Sequence, residues 1–402
     1  MTSSKPRVLY LTYDGLLEPL GQSQVLAYLE LNSDDFSFTV LSFEKHKDIS
    51  NRSLYKELLL RTDNANIEWI RLRYHKSPTI FATSFDIIQG VLMGFYLQKS
   101  KDIKLLHARS YVAGLIALLL SKITGIPYIF DIRGFWVDER VDGGIWQRGH
   151  LVYRVARWLE RKLYSGAAHI TTLTENSINY FPNIMKNRIS LNNISVIPTC
   201  TDVRRFSKKV YKNDQIVIGN LGSLGTWYAL DPIFHFFTIA LKQNSKASLV
   251  FINRDQHALI ISKVREHHID SRRVHYRSAS QSEIPKVLMS IDVGLMLYKD
   301  GISRAACSPT RFAEYLSAGI PCLISGGVGD TQAIVEREGV GIIISDYRAE
   351  TLERSFNAIQ NLMTHPDLAD RCRDVAQKYF SLEDGASKYA SIYYNLIGKK
   401  SS

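Results

Sequence analysis

The chain has 402 residues, 45% hydrophobic and 22% charged, with a formal net charge of +11. That length exceeds one ordinary hydrophobic core and predicts two domains, and the composition is that of a soluble globular protein. The four cysteines (Cys200, Cys307, Cys322, Cys372) never fall at a CxxC spacing, which argues against a zinc site or a disulfide framework and fits a reducing cytosol. The basic excess is spread over both halves with no basic tail and no nucleic-acid reader motif, so it points to an anionic substrate or an anionic membrane surface rather than to nucleic acid.

Short apolar runs alternate with longer amphipathic runs, the pattern of βα units and parallel sheets. Met1 to Arg7 is polar, and Val8-Leu9-Tyr10-Leu11 is too short for a signal core; Val8 to Thr12 reads as a first strand. A loop through Gly15 and Gly21 leads to a helix expected from about Ser23, with strands at Phe38 to Phe43 and Ile67 to Leu72. A helix at about 84–98 leads to strand Leu105-Leu106-His107, and one at about 112–122 to strand Tyr128-Ile129-Phe130. Ile80 to Leu97 carries Asp86, Gln89 and two glycines, and Val112 to Leu120 is far too short to span a bilayer. Both read as buried helices of an α/β domain.

A basic helix follows at about 148–164, then strands Ile170 to Leu173 and Ile194 to Ile197. The unit then restarts. Ile216 to Asn220 is a new first strand, followed by a loop with Gly222 and Gly225; Leu249 to Ile252, Val274 to Tyr276, Val293 to Leu297, Cys322 to Ile324 and Gly341 to Ile344 continue the second sheet. The polar stretch Lys208, Lys209, Lys212, Asn213, Asp214 reads as the linker. The expected division is 1–205 and 206–383, with an aromatic-rich helix at about 384–402 packing back on the first domain. Two facing α/β domains place a ligand at strand carboxyl ends, in the cleft between them.

The candidate residues lie on loops after strands. In Ser308-Pro309-Thr310-Arg311-Phe312-Ala313-Glu314 a loop precedes a short helix; its free N–H groups favour a phosphate, and Glu314, one turn in, can accept from a pair of ribose hydroxyls. Gly219 to Tyr228, with Gly222 and Ser223, lets backbone approach a diphosphate, or is a plain tight turn. Gly21-Gln22-Ser23 sits where a helix should begin; it faces a ligand, or Ser23 is a cap. Arg254 and Arg311 offer forked cations to a diphosphate. Arg109 closes a strand beside His107, where a cation would meet a phosphate. Asp131 to Gly144 mixes carboxylates, arginines and aromatics, and suits catalysis or acceptor binding. The helix 148–164 is either a basic amphipathic face for an anionic membrane or a core helix with a solvated side.

With these residues in view, the chain resembles bacterial retaining glycosyltransferases of family 4, which have the GT-B fold: two Rossmann-like α/β domains facing across a cleft. The resemblance runs from about residue 7 to 396. Its most specific part is Ser308 to Pro321, followed by Gly326-Gly327-Val328-Gly329-Asp330, Gly339-Val340-Gly341 and the joining segment Ile194 to Phe206. Glu18 to Gln24 and Asp131 to Gly144 look like one subgroup, with a Gly-Gln-Ser-Gln and an Arg-Gly-Phe-Trp loop.

The resemblance implies a nucleotide-sugar donor, used as substrate rather than cofactor, and a glycan or polyisoprenyl-diphosphate-linked acceptor. It implies no metal. With the cysteines and the basic charge, the expected place is the cytoplasm or the inner face of the plasma membrane, held peripherally. Glu314 matches the ribose-holding second glutamate of a Glu-x7-Glu motif. Gly21 and Gly222 match the family's two diphosphate loops, with Arg254 and Arg311 as counter-charges, and Gln22, Ser223, Ser308 and Thr310 complete the expected donor set. From the residues themselves, Asp131, Arg133 and Arg109 are the expected catalytic set and Phe135, Trp136, Asp138 and Glu139 the expected acceptor set. Three departures stand out. Ala306 replaces the first glutamate; Ser223 and Tyr228 stand where many members have Arg and Lys; and Asp131 and Arg133 stand in place of a His before the acceptor loop. The rival readings are a nucleotide-sugar epimerase of the same architecture and an inactive scaffold that binds a partner enzyme. A dinucleotide oxidoreductase is disfavoured because neither glycine loop has the GxGxxG spacing.

Overall fold

The structure is a computed structural model that describes residues 5–186, 190–211, 215–225 and 227–398. These form two compact units. The first unit holds the described residues up to Val137, Trp146–Ile197 and the chain from Leu382 onward. The second holds Asp138–Ile145 and Pro198–Ser381.

The first unit contains seven parallel strands: β1 (Arg7–Thr12), β2 (Ser37–Glu44), β3 (Glu68–Arg73), β4 (Ile103–Arg109), β5 (Tyr128–Asp131), β6 (His169–Thr172) and β7 (Ile194–Val196), in the order β3-β2-β1-β4-β5-β6-β7. The continuous run Val8-Leu9-Tyr10-Leu11 forms β1 because a central parallel strand is covered on both faces. The chain goes outward from β1 to β3, then returns to β4 on the other side of β1. That reversal is the topological switch point. The Leu382–Ile397 helix closes the unit: Asn32 Nδ2 donates to the Ala386 carbonyl at 3.0 Å, and the Tyr393 ring packs on Phe36 and Phe38.

The second unit repeats the plan with six parallel strands: β8 (Val217–Leu221), β9 (Ser248–Ile252), β10 (Val274–Arg277), β11 (Val293–Met296), β12 (Cys322–Ser325) and β13 (Gly341–Ile344), ordered β10-β9-β8-β11-β12-β13. Its switch point lies between β8 and β11. The Thr310–Ser317 helix is pinned over these two strands. Tyr315 donates its hydroxyl to the Gly219 carbonyl of β8 at 2.9 Å, and a side chain at Gly294 of β11 would lie 2.5 Å from the Tyr315 ring.

Four expectations change. The first division falls at 197/198 rather than 205/206, because the polar stretch belongs to the second unit: Lys208 pairs with Asp370 at 2.8 Å, and Lys209 is buried with Asp292 at 2.8 Å. Lys212, Asn213 and Asp214 lie outside the described residues, as does Thr226 of the second glycine loop. The segment Asp138–Ile145 belongs to the second unit although its neighbours in sequence belong to the first.

The third change concerns the Thr79–Ser100 helix, expected to be buried. It buries Asp86, Gly90 and Gly94 but leaves Phe81 77% and Leu92 66% exposed. One side is fixed on the Ser110–Thr124 helix, and no described element covers the other. The fourth is the first helix, which starts at Pro19 rather than about Ser23 and passes through a π-turn at Gln22–Leu26 to Asn32. Ser23 is therefore no cap; its hydroxyl donates back to the Pro19 carbonyl at 2.9 Å.

Candidate functional site

In the second unit, the site is assembled at the β8/β11 switch point. The glycine loop leaves the carboxyl end of β8, and Gly222 takes φ +99°, a conformation that favours glycine. Its N–H donates to the Ile252 carbonyl at 2.8 Å and its carbonyl accepts from Asn253 Nδ2 at 2.9 Å. Leu224 N–H donates to Gln256 Oε1 at 2.7 Å, so the loop is held from both sides. A Cβ at Gly222 would lie 3.1 Å from Arg311 Nη2, so the glycine also makes room for that guanidinium.

Arg311, in the first turn of the Thr310–Ser317 helix, is buried. Its guanidinium carbon lies 4.5 Å from the centre of the Tyr228 ring, a cation–π contact. Tyr228, where the resemblance expects a lysine, thus supports a cation supplied by the helix. Arg311 Nη1 has no hydrogen-bond partner among the described residues, and no described carboxylate pairs with the side chain. A buried cation without a counter-charge is costly and marks a place for an anion. The helix N-terminus beside it also carries no side-chain cap, since the N-cap residue is Pro309.

Glu314 lies one turn further in and is buried; Gln281 Nε2 donates to its Oε1 at 3.1 Å. Burial pushes its carboxyl up to about 7, against smaller opposing effects of Gln281, Arg205 and Arg311. In the unfolded chain the group titrates near 4.5. Between those values the folded state binds the extra proton, so stability falls as pH rises from 4.5 to 7 and stays lowered above it. Glu314→Gln, which keeps the acceptor for Gln281, should raise stability at pH 8 by about 2 kcal/mol and leave it nearly unchanged at pH 4.5. Urea unfolding of both proteins at the two pH values checks this.

Four other expected donor residues sit differently. Ser308 is engaged with Thr199, whose N–H donates to Ser308 Oγ at 3.2 Å and whose hydroxyl donates to the Ser308 carbonyl at 2.7 Å. Ser223 and Arg254 are exposed on the loops after β8 and β9. Thr310 opens the helix and is partly buried. Ala306 is buried at the end of a 3-10 turn, Ser303–Ala306.

Segment 138–145 sits near that turn: Asp142 Oδ2 accepts from Ser303 N–H at 2.8 Å. Burial pushes Glu139 up to about 7, with Asp142 and Asp138 adding to the rise and Arg140 opposing it. Cys307 is raised by burial and then by the charge of Glu139. The four expected acceptor residues are therefore split: Asp138 and Glu139 belong to the second unit, Phe135 and Trp136 to the first. Phe135 is fully buried against Tyr180 and Phe181, a core residue rather than a ligand contact. Trp136, partly exposed, packs on Tyr111 and Trp146 at 5.5 and 5.1 Å between ring centres.

The first unit has its own cluster at the β1/β4 switch point. Arg109 ends β4, is buried, and donates through Nη1 to Asp14, which follows β1; its Nε has no partner among the described residues. Ser110, next in the chain, takes φ +71°, a strained conformation for a residue with a side chain. Asp131 ends β5 and is buried. Its Oδ1 accepts from Thr171 at 2.9 Å, and Arg133 Nη1 lies 3.4 and 3.5 Å from its two oxygens. Burial alone would raise the Asp131 carboxyl, but Arg133, then His107 and Arg109, hold it well below the usual carboxylate range. His107 is bonded to Tyr393 through Nδ1 at 2.7 Å, while Nε2 lies 3.8 Å from Asp131; burial lowers its pKa. Asp14, Ser110 and Thr171 were not expected from the sequence; the signal for Asp14 was its position just after the first strand.

The Gly15–Gly21 loop is not an open cradle. Leu16 and Leu17 N–H groups donate to the buried Glu44 carboxylate at 2.7 and 3.3 Å, and Gly15 N–H to Glu18 at 3.3 Å. Gln22 is buried with its amide donating to the Leu17 carbonyl at 3.1 Å. Gly21 has a packing role, because a Cβ there would lie 2.1 Å from the Gly15 carbonyl oxygen. Gly21→Ala should cost about 1–3 kcal/mol of stability, read by chemical denaturation.

Among the described residues, Asp231, Glu266 and His267 could together offer three metal-ligand atoms, but Lys263 Nζ already fills that space, 2.6 Å from Asp231 and 3.0 Å from Glu266.

Residues 35–198 match the family model described as "Glycosyl transferase 4-like domain". A comparison with curated protein sequences returns no significant match. Among solved structures, the chain is similar to sucrose-phosphate synthase from Thermosynechococcus elongatus, with a TM-score of 0.75 and 13% identity over 98% of this chain and 99% of that one. It is also similar to HepE of Anabaena in complex with UDP and glucose, at 0.69 and 13% over 97% and 100%. WaaG, a glycosyltransferase involved in lipopolysaccharide biosynthesis, aligns at 0.66 and 13% over 96% and 99%. At such identities the likeness establishes the fold, GT-B, across nearly the whole chain.

Proposed function

We propose that this chain, of the GT-B fold and with residues 35–198 matching the glycosyl transferase 4-like family model, is a retaining glycosyltransferase. Its donor would be a nucleotide-sugar and its acceptor a glycan or polyisoprenyl-diphosphate-linked glycan, in cytoplasmic synthesis of a cell-surface polysaccharide. The observation that carries this reading is Arg311: a buried guanidinium without a counter-anion, at an uncapped helix N-terminus, one turn from a buried carboxylate. A nucleoside diphosphate supplies what that arrangement lacks. Its phosphates accept from Arg311 and the first helical N–H groups, and its ribose hydroxyls donate to Glu314. UDP-sugars are the first donors to test, since the HepE structures hold UDP and UDP-glucose.

In the reaction, the bond from the anomeric carbon to the phosphate oxygen breaks and its electron pair stays on the phosphate. Arg311 and the helix N–H groups stabilise that developing charge. The acceptor oxygen bonds to the same carbon on the face that the phosphate leaves, and its proton passes to the departing phosphate oxygen. Asp131 suits a positioning role better than that of a base: a carboxyl held so far down is a weak proton acceptor. Arg133 and Arg109 provide cations in the same cluster for an anionic acceptor.

Incubating the protein with labelled nucleotide-sugar, with and without lipid-linked acceptor, tests this. The expected result is acceptor-dependent release of nucleoside diphosphate and a product whose anomeric configuration, read by NMR, matches the donor. An isomerised sugar formed without acceptor would assign the chain to epimerisation instead. An inverted product would remove the retaining mechanism, and full transfer by both Asp131→Asn and Arg133→Ala would remove their acceptor role.

A further inference from the structure

We propose that one outer face of the first unit, built from the Thr79–Ser100, Ser110–Thr124 and Leu151–Gly166 helices, docks on the surface of an anionic lipid bilayer. The three helices lie side by side. Gly90 and Gly94 of the first sit against Ile116 and Leu120 of the second, and Gly114 of the second against Leu163 of the third. Their outward sides are apolar to an extent unusual for a solvated surface. Phe81, Phe85, Ile88, Leu92 and Tyr96 form a stripe at helical spacing along the first helix, each at least half exposed. Ile123 extends it on the second, and Leu151, Val155 and Trp158 on the third.

Charge selects the occupant. Lys99, Lys122, Arg154 and Lys162 are exposed on the same three helices. Their only carboxylates, Asp86 and Glu160, are fully buried and internally bonded: Asp86 to Tyr13 and His75, Glu160 to Arg157 and Tyr111. The three helices are therefore apolar and basic outward with no exposed acid of their own, which matches acyl chains beneath anionic headgroups. The Lys99 ammonium lies 5.5 Å from the centre of the Phe95 ring and the Lys162 ammonium 5.8 Å from that of Trp158, so cations sit beside the aromatics on these helices. The first helix is long and apolar enough to cross a bilayer by length and composition. Asp86 ties its middle to Tyr13 after β1, so it belongs to the folded unit and presents one flank to the membrane rather than spanning it.

The test is flotation of the full chain with vesicles of phosphatidylcholine alone or mixed with phosphatidylglycerol, at low and high salt. Expected are binding to the mixed vesicles, weakening as salt rises, and a loss of about tenfold or more in partitioning for Phe81→Ser/Leu92→Ser/Trp158→Ser. All three side chains are exposed, and an unchanged near-ultraviolet circular dichroism spectrum would confirm that the variant folds. Absence from both vesicle fractions would overturn the proposal, as would a folded triple variant that binds like the parent. A lipid-free dimer that the triple variant dissociates would assign the face to a second copy and overturn it equally. Vesicle binding needs neither donor nor acceptor, so its failure leaves the nucleotide-sugar reading untouched.

Discussion

Asp131→Asn should destabilise the first unit by about 3–5 kcal/mol, the cost typical of breaking a buried ion pair from one side. Asp131 is the anion around which Arg133 and His107 are arranged, and all three are largely buried. An amide would still accept from Thr171, but its NH2 group would face the Arg133 guanidinium, now without compensation. The pH dependence has a definite sign. The folded carboxyl sits below its unfolded value, so its contribution is present above about pH 4 and is lost as pH falls. Denaturant unfolding should therefore show a large gap between parent and variant at neutral pH, which begins to narrow below about pH 4 and closes only as the pH approaches the much lower folded value. A double-mutant cycle with Arg133→Met isolates the pair: the combined loss should fall short of the sum of the single losses by at least about 1 kcal/mol. If the double variant regains stability but not transfer, the pair positions the acceptor and is not merely structural.

Arg311→Met should separate binding from stability. Truncating a desolvated cation that receives a phosphate should cost about 2–4 kcal/mol of binding, roughly 30- to 1,000-fold in the Kd for a nucleoside diphosphate. The same substitution removes a buried charge that has no anionic partner in the unliganded protein, so the melting temperature should hold or rise. A residue with only a structural role would behave the opposite way, losing stability and keeping affinity. Arg311→Lys should not rescue binding, because an ammonium cannot reproduce the fork that reaches between Gly222 and Tyr228. Calorimetric titration and thermal melting of the three proteins, side by side, decide it.

The strands were legible because parallel strands covered on both faces read as unbroken apolar runs, as in Val8 to Leu11 or Leu249 to Ile252. The Glu314 helix was legible from its flanking Pro309 and Gly319 and from its position between two strands. Sequence distance hid the partners. Nothing local connects Glu44 with the N–H groups of Leu16 and Leu17, or Arg109 with Asp14, because the pairing depends on the β1–β2 and β1–β4 neighbours. The Gly15–Gly21 loop accordingly looked open, although a buried carboxylate from the next strand fills it. The exposure of Phe81 and Leu92 was hidden for another reason: an apolar helix reads the same whether its second flank is covered by protein or left bare. Phe135 shows the converse, an aromatic beside charged residues that turned out to be core because its ring points toward Tyr180 and Phe181.

The Arg311–Glu314 helix should hold a nucleoside diphosphate. Equilibrium titration of UDP, GDP and dTDP into the parent chain, Arg311→Met and Glu314→Gln tests it most directly. At least one nucleotide should bind the parent, Arg311→Met should weaken it by roughly 30-fold or more, and Glu314→Gln should remove the preference for a ribose over a 2′-deoxyribose form of that nucleotide. No binding by the parent, or equal binding by all three proteins, would contradict it.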